Sequence, residues 1–245
     1  GGIHCSQRVF VYPNVFLRVH FAIVPNGVRL GESSKRPAAT ESSMQPNSLT
    51  VLDYLRHGEP SGGNRYRGNG VDDPLSEKGW QQMREAAAAI DSWQLIVSSP
   101  MRRCIEFAER LASERGIPLR MEHDLREVGF GTWEGAVREE LMIERKQEYD
   151  AFHRDPVNNR PPGAEPLYDF GRRVGRVFDR LIDTHPGQHL LVVAHAGVIR
   201  ATMGHITRAP AVTWYRADVG YAGISRFAQD RLGPRLVMHN WRPRL

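Results

Sequence analysis

Basic and imidazole side chains follow within a few residues of short apolar segments at three points in this chain of 245 residues. Residues 50–55 have the β-branched and aromatic content of a strand, and Arg56 and His57 follow them just before a Pro/Gly-rich turn. Two later apolar segments repeat this arrangement, LIVS ahead of Arg103 and LLVVA ahead of His195. We expect these side chains at the carboxyl ends of strands, where open α/β sheets keep their ligands.

The chemistry of this set is that of a site for a doubly charged oxyanion. Guanidinium groups match phosphate oxygens bidentately, and free amides at helix N-termini add to the positive field. Glu127 adds a carboxyl group from a glycine-spaced loop. No metal-ligand spacing accompanies these residues, so we expect no metal and predict that side chains neutralise the anion.

Each residue also has a structural interpretation when it is considered alone. Arg56 and His57 could be ordinary polar residues at a strand exit, and Glu127 a solvated loop carboxylate. His195, within an apolar segment, could be a core histidine whose hydrogen bonds are satisfied. Trp133 could pack beneath its loop or line a substrate site. The motifs taken together must decide between these alternatives.

Strands and helices alternate along the chain from residue 50 onward. The predicted strands cover residues 50–55, 95–98, 118–121, 189–194, 222–227 and 236–239. The predicted helices cover residues 76–91, 100–115, 137–154, 167–184 and 197–205, and the one at 167–184 has an apolar face. This alternation predicts the fold class α/β, a three-layer α/β/α sandwich with a largely parallel central sheet.

The net charge of +5 does not indicate a nucleic-acid partner. Five basic residues face two acidic ones in residues 1–48, so the remainder is close to balance and has no basic stripe. No segment has the roughly 18 consecutive apolar residues that a membrane span needs, so we expect no membrane partner. The two cysteines, Cys5 and Cys104, form no disulfide framework, which favours a cytoplasmic location.

The first 48 residues differ in character from the rest of the chain. An apolar segment interrupted by polar residues gives way to a Pro/Ser-rich linker, and Met44 would be a natural start. We therefore predict that residues 1–48 are an N-terminal extension, flexible or non-native, and that residues 49–245 form one folded domain.

Six motifs in order resemble the histidine phosphatases, the phosphoglycerate mutase-like superfamily. They are LRHGE (55–59), DDPLSEKG (72–79), SSPMRR (98–103), LREVGFGTWEG (125–135), PPGAEP (161–166) and VVAHAGVIR (192–200). The resemblance extends over about residues 50–240, and within the superfamily it is most similar to α-ribazole phosphatase-type enzymes. It implies that residues 49–245 are a histidine phosphatase domain with the phosphoglycerate mutase-like fold.

The resemblance implies a role for each residue of the set. His57 would attack phosphorus and become a phosphohistidine. Arg56, Arg103 and His195 would hold the equatorial oxygens in the transition state. Glu127 would protonate the leaving oxygen and then deprotonate the attacking water. No cofactor is implied.

The resemblance also suggests substrate-binding residues, which are Gly58, Asn64, Glu165 and Ala196. Two departures from the family pattern affect them. Pro60 replaces a serine after the Arg-His-Gly-Glu motif, and the asparagine stands one position late. The usual Gly-Gly-Glu-Ser segment reads GAEP here, so its serine is absent. Arg102 is expected to be a flanking surface residue.

The resulting functional hypothesis is a metal-independent phosphomonoesterase acting on a small phosphate ester, with α-ribazole 5′-phosphate as one candidate. A pocket roofed by Trp133 and residues 137–166 would suit such an ester. A phosphoglycerate mutase-type isomerase is one alternative, and a non-catalytic module that binds phosphorylated ligands is another. The oligomeric state is left open, a homo-oligomer included.

Overall fold

A computed structural model describes residues 49–243, in which six strands form one sheet in the order β3-β2-β4-β1-β5-β6. The predicted extension, residues 1–48, lies outside the described residues. The strands are β1 Thr50–Arg56, β2 Leu95–Ser98, β3 Leu119–Met121, β4 His189–Ala194, β5 Ile224–Asp230 and β6 Gly233–Trp241. The helices are α1 Glu77–Ala88, α2 Arg102–Arg115, α3 Arg138–Glu144, α4 Lys146–Arg154, α5 Leu167–Thr184 and α6 Ala196–Thr207.

The four strands β1 to β4 run parallel, as the alternation of strands and helices predicts. In the register, Arg56 pairs with Ala194 and Ser98 pairs with Val193. The carboxyl ends of β1, β2 and β4 therefore meet at one edge of the sheet. The last two strands are antiparallel: β5 pairs with β1, and β6 pairs with β5. Apolar content predicts these two strands but does not give their direction.

Two apolar cores lie on opposite faces of the sheet and complete the three layers. On one face, the predicted apolar side of α5 is buried, and Phe178 meets Phe227 of β5 edge-on at 6.1 Å. On the other face, Met83 of α1 and Phe107 of α2 are buried with Leu55 of β1. Burying a large apolar side chain contributes about 1.5–3 kcal/mol, so these two faces supply most of the drive to fold.

The predicted single helix over residues 137–154 is wrong, because the chain forms two helices that meet at Arg145. The backbone of Arg145 has φ −121° and ψ 39°, outside the helical range. The break lets Glu148 accept a hydrogen bond from the indole of buried Trp133 at 2.6 Å and pair with Arg145. A tertiary contact thus overrides the local helical preference.

No helix among residues 49–243 is long and apolar enough to cross a membrane.

Candidate active site

His57 lies at the end of β1 with its imidazole buried and fixed by one hydrogen bond. Its Nδ1 lies 2.8 Å from the carbonyl oxygen of Gly58. A carbonyl only accepts, so Nδ1 carries the hydrogen and Nε2 keeps its lone pair. Burial lowers the pKa of His57 well below its usual range, and the nearby Arg103 and Arg56 lower it further. The imidazole is therefore neutral at pH 7 and can act as a nucleophile.

Arg56 is held against the site by the loop that precedes β5. One guanidinium nitrogen donates to the carbonyl of Val219 at 2.6 Å, and the guanidinium carbon lies 4.1 Å from the ring centre of Tyr221. Its Nε is buried and has no partner among residues 49–243. Burial lowers the pKa of Arg56 to about 10, so it remains charged at neutral pH.

Arg103 enters the site from the first turn of α2, at the end of β2. Its terminal nitrogens donate to the carbonyls of Val71 at 3.0 Å and Gly68 at 2.9 Å. Its Nε is buried without a partner in the described part of the chain. The glycine-rich loop after β1 thus fixes the direction of this guanidinium. The neighbouring Arg102 is exposed and pairs with Glu106, as expected of a flanking residue.

His195 directly precedes α6 and lies behind His57. The two ring centres are 5.2 Å apart, and Nε2 of His195 lies 2.7 Å from the hydroxyl of Ser99. Burial lowers the pKa of His195 well below its usual range, and Arg103 adds to this effect. The thiol of Cys104 lies beneath the ring, and burial raises its pKa to about 12, so it stays protonated.

Glu127 is held in place by two backbone amides. One carboxylate oxygen accepts from the amide of Val128 at 2.9 Å, and the other accepts from the amide of Gly197, in the first turn of α6, at 3.1 Å. A Cβ on Gly197 would lie 2.2 Å from the Glu127 carboxylate, so a larger residue at this position would displace that carboxylate.

A buried arginine, Arg173 of α5, binds the loop that carries Glu127. Its guanidinium donates to the carbonyls of Arg126 at 2.8 Å and Glu127 at 3.1 Å, and also to that of Asp124. The same guanidinium forms a bidentate pair with Glu165, with distances of 2.8 and 2.9 Å. Arg173 therefore connects α5 and the Glu165 segment to the position of the Glu127 carboxylate.

These elements surround a cavity of about 260 Å³. Six of the residues proposed from the sequence line it: Arg56, His57, Asn64, Arg103, Glu127 and Ala196. His195 has no exposed surface and does not line the cavity, so the expectation that it holds an equatorial oxygen needs correction. Its Nε2 lies against the Ser99 hydroxyl, and the ring supports the cavity from behind His57. Asn64 stands at the mouth, where its side-chain amide donates to Glu139 at 2.7 Å.

Three other expectations about substrate contact need correction. Glu165 does not line the cavity, because Arg173 and the amide of Gly129 take its carboxylate oxygens. Gly58 lies against α1 instead of the cavity, and a Cβ there would come within 2.2 Å of the Gly79 carbonyl. Trp133 does not roof the pocket: it has no exposed surface and stacks near Tyr149.

Several cavity residues are not singled out by the sequence, although Phe130 and Arg200 fall within two of its motifs. They are Arg65, Tyr66, Arg67, Gly68, Phe130, Arg138, Phe152, His153, Arg200, Tyr215, Asp218 and Tyr221. Most lie in loops or on α3, α4 and α6, far in sequence from His57. One signal could have identified Arg200, because it follows His195 by five residues and so lies near the start of the same helix.

Residues 49–243 contain no group of three or more His, Cys, Asp or Glu side chains placed to hold a metal ion.

Comparison with known proteins gives consistent matches. The sequence pattern of the histidine phosphatase superfamily (branch 1) matches residues 53–242. A bifunctional protein of Mycobacterium tuberculosis is 33% identical over 197 residues, which are 76% of this chain and 54% of that protein. This chain thus spans about half the length of that relative.

Two phosphatases are also similar. An adenosylcobalamin/alpha-ribazole phosphatase of Escherichia coli is 30% identical over 175 residues, covering 69% of this chain and 86% of that protein. The structure of a mycobacterial glucosyl-3-phosphoglycerate phosphatase in complex with VO3 matches with a TM-score of 0.70 and 28% identity, covering 78% of this chain and 98% of that one. With its fold, its ordered motifs and a family match over most of its length, this chain belongs to branch 1 of the histidine phosphatase superfamily.

Proposed function

We propose that this chain hydrolyses phosphate monoesters of small molecules through a phosphohistidine formed at His57, with no metal or cofactor. The observation that carries the proposal is the 2.8 Å contact between Nδ1 of His57 and the Gly58 carbonyl. It fixes the tautomer in which Nε2 has a free lone pair, and His57 lines a cavity that Arg56 and Arg103 also line.

In the first step, Nε2 of His57 attacks phosphorus and the bond from phosphorus to the ester oxygen breaks. Glu127, in its acid form, gives its proton to the departing oxygen, which leaves as an alcohol. Arg56 and Arg103 stabilise the charge on the three equatorial oxygens, since their guanidinium groups need no reorganisation.

In the second step, the Glu127 carboxylate takes a proton from a water molecule as its oxygen attacks phosphorus. The bond between phosphorus and Nε2 breaks, and its electron pair returns to His57. Inorganic phosphate leaves, and Glu127 is again in its acid form. The two steps consume one water and one ester and yield one alcohol and one phosphate.

The substrate is proposed to be a small ester, with α-ribazole 5′-phosphate as one candidate. The similarity to an alpha-ribazole phosphatase and a glucosyl-3-phosphoglycerate phosphatase supports this choice. A cavity of about 260 Å³ suits a small molecule better than a folded phosphoprotein. We further propose a cytoplasmic enzyme that acts without nucleic acid or membrane partners.

The test is phosphate release from a panel of monoesters with EDTA present, including p-nitrophenyl phosphate, α-ribazole 5′-phosphate and 3-phosphoglycerate. We expect turnover to survive EDTA and to be abolished in His57→Asn. Rapid quenching during turnover of an ester labelled in its phosphoryl group should trap that label on the wild-type protein. The trapped label should be stable to base and labile to acid, as a phosphohistidine is. Label retained on His57→Asn would contradict the assignment of the nucleophile.

A matched pair of arginine variants distinguishes a direct contact with the substrate from a general effect of positive charge on α2. Arg103→Met should lower kcat/KM by roughly a hundredfold or more, since it removes a transition-state contact. Arg102→Met, which changes the adjacent exposed arginine, should leave it unchanged. Faster isomerisation of 3-phosphoglycerate than hydrolysis of any ester would replace the phosphatase proposal with a mutase. No turnover of any ester would favour a binding module.

A further inference from the structure

The cavity contains more positive charge than one phosphoryl group requires. Beyond Arg56 and Arg103, four more arginines line it. Arg67 is paired with Asp73, and the other three, here called the outer arginines, are Arg65 after the glycine-rich turn, Arg138 at the start of α3 and Arg200 in the second turn of α6. None of the three forms a salt bridge with a carboxylate of residues 49–243.

Each of these outer arginines is anchored through Nε alone. Arg65 donates from Nε to the carbonyl of Gly62 at 2.7 Å, and Arg138 donates from Nε to the hydroxyl of Tyr149 at 3.2 Å. Arg200 donates from Nε to the carbonyl of Ala217 at 2.8 Å. Their terminal nitrogens make no hydrogen bond within the described residues. These are the nitrogens with which a guanidinium binds an oxyanion as a fork.

Two of these guanidinium groups also lie over aromatic rings that line the cavity. The Arg138 guanidinium carbon is 5.9 Å from the ring centre of Tyr66, and that of Arg200 is 5.3 Å from the ring centre of Tyr215. Such contacts orient a guanidinium while its edge stays free for hydrogen bonds. The outer arginines are thus positioned before any ligand binds.

Arg65 and Arg138 approach each other through the backbone. Arg65 forms an isolated antiparallel bridge with Val137, and the amide of Arg138 donates to the carbonyl of Asn64 at 3.1 Å. The glycine-rich loop and the start of α3 therefore present two guanidinium groups at one side of the cavity mouth.

The carboxylates near this region are few. Glu127 and Asp218 are the two acidic residues that line the cavity. Glu127 belongs to the reaction centre, and Glu139 beside the mouth accepts from Asn64. Asp218 and Glu139, which adjoins Arg138, offset at most two of the three outer arginines, so the outer cavity keeps a positive charge after a phosphoryl dianion has bound to the inner groups.

We propose that the substrate carries a second oxyanion, a carboxylate or a further phosphate, which binds to Arg65 and Arg138 while Arg200 supports the chain between the two anionic groups. The inference deepens the proposed phosphatase function and rests on it. A neutral alkyl or hydroxyalkyl ester would leave these guanidinium groups without a partner. So would α-ribazole 5′-phosphate, whose nucleoside part has no second oxyanion, and the inference therefore ranks doubly anionic esters above it. Each charge-assisted pair that forms in the transition state should raise kcat/KM by roughly tenfold.

The experiment compares substrates that differ only in the second group. Phosphate release is measured for 3-phosphoglycerate and glycerol 1-phosphate, in which a carboxylate and a hydroxymethyl group occupy the same position. Propane-1,3-diol bisphosphate and its monophosphate form the second pair and distinguish phosphate from carboxylate. We expect at least one pair to favour the doubly anionic ester by about tenfold or more. That preference should largely disappear in Arg65→Met/Arg138→Met, whereas Arg110→Met, which changes an exposed arginine paired with Glu114, should retain it.

A binding measurement keeps this inference separate from the proposed function. Calorimetry on His57→Asn gives Kd values for the same pairs without turnover, and the same preference is expected there. If no ester, p-nitrophenyl phosphate included, is hydrolysed while the Kd preference holds, the phosphatase proposal fails and the oxyanion site stands. Equal kcat/KM within both pairs, or a preference that the double variant retains, would overturn the second-oxyanion site even if hydrolysis is fast.

Discussion

The ring of Tyr221 covers the guanidinium of Arg56 at 4.1 Å and lies 5.9 Å from the imidazole of His57. Two backbone hydrogen bonds fix this arrangement, since the amide of Arg56 donates to the Gly223 carbonyl and the amide of Ala222 donates to the His57 carbonyl. Ala222 has φ +52°, a strained conformation for alanine. The loop before β5 is therefore built to hold the Arg-His pair, and Tyr221 is its contact with the guanidinium.

The first prediction concerns this ring. Tyr221→Leu should lower kcat/KM for p-nitrophenyl phosphate by roughly three- to thirtyfold, because a partly buried cation–π contact contributes about 0.5–2 kcal/mol. Tyr221→Phe keeps the ring and should retain most of the activity. Tyr168→Leu, which changes an exposed tyrosine on α5, provides the control. If Tyr221→Phe lost as much as Tyr221→Leu, the hydroxyl and not the ring would be the contributing group.

The second prediction concerns Arg173, which positions the Glu127 loop without lining the cavity. Arg173→Met should lower kcat more for an alkyl phosphate than for p-nitrophenyl phosphate, because the poorer leaving group depends more on proton donation by Glu127. The variant should also lose about 3 kcal/mol of unfolding free energy, since Glu165 is left unpaired.

Arg172→Met is the matched control for this prediction, because Arg172 is exposed and pairs with Asp169 on the surface of the same helix. Urea unfolding of the two variants measures the change in unfolding free energy. The ratio of kcat for the alkyl phosphate to kcat for p-nitrophenyl phosphate measures the change in proton donation. An equal loss of kcat for both leaving groups in Arg173→Met would mean that Arg173 supports the fold but not the position of the proton donor.

The grouping of the proposed catalytic residues at one edge of the sheet could be predicted from the sequence because these residues stand at fixed places in the chain. Arg56, His57 and His195 directly follow apolar strands, and parallel strands present their ends at one edge. The ordered motifs identify Arg103 and Glu127 in the same way. Local pattern, topology and motif order are sufficient to place these five residues together, while their roles rest on the proposed function.

The surroundings could not be predicted, because they depend on contacts between distant segments. Tyr221 reaches Arg56 from 165 positions along the chain, and no local pattern marks it. The motif that contains Glu165 predicts a pocket residue, but the Glu165 carboxylate forms an ion pair with Arg173 instead. Trp133 packs under its loop, one of the two interpretations that the sequence offers, and the break between α3 and α4 that gives its indole a hydrogen-bond acceptor is what the sequence does not reveal.

The third prediction concerns the crossing of Gly58 and Gly79. A Cβ on Gly58 would lie 2.2 Å from the Gly79 carbonyl oxygen, and one on Gly79 would lie 2.1 Å from the Glu59 carbonyl oxygen. These are backbone atoms, so Gly58→Ala should separate the His57 loop from α1, with a loss of about 1–3 kcal/mol in unfolding free energy and a fall in kcat. Gly63→Ala is the control for backbone strain alone, because φ there is +80° and no atom lies within 4 Å. Equal effects of the two variants would show that the crossing is not tight.

The fourth prediction links the neutral state of His57 to stability. Burial and then Arg103 lower its pKa well below the usual 6.5 in the folded protein, while the unfolded chain takes up a proton near pH 6.5. The unfolded state therefore binds more protons below that pH, and the contribution of this imidazole, complete above pH 6.5, is lost as the pH falls. In His57→Asn the decline of unfolding free energy below pH 6.5 should be shallower by on the order of 1 kcal/mol per pH unit, which urea unfolding at several pH values measures. An identical pH dependence in both proteins would mean that His57 is protonated in the folded state as readily as in the unfolded chain, and a protonated imidazole has no lone pair on Nε2 with which to attack phosphorus.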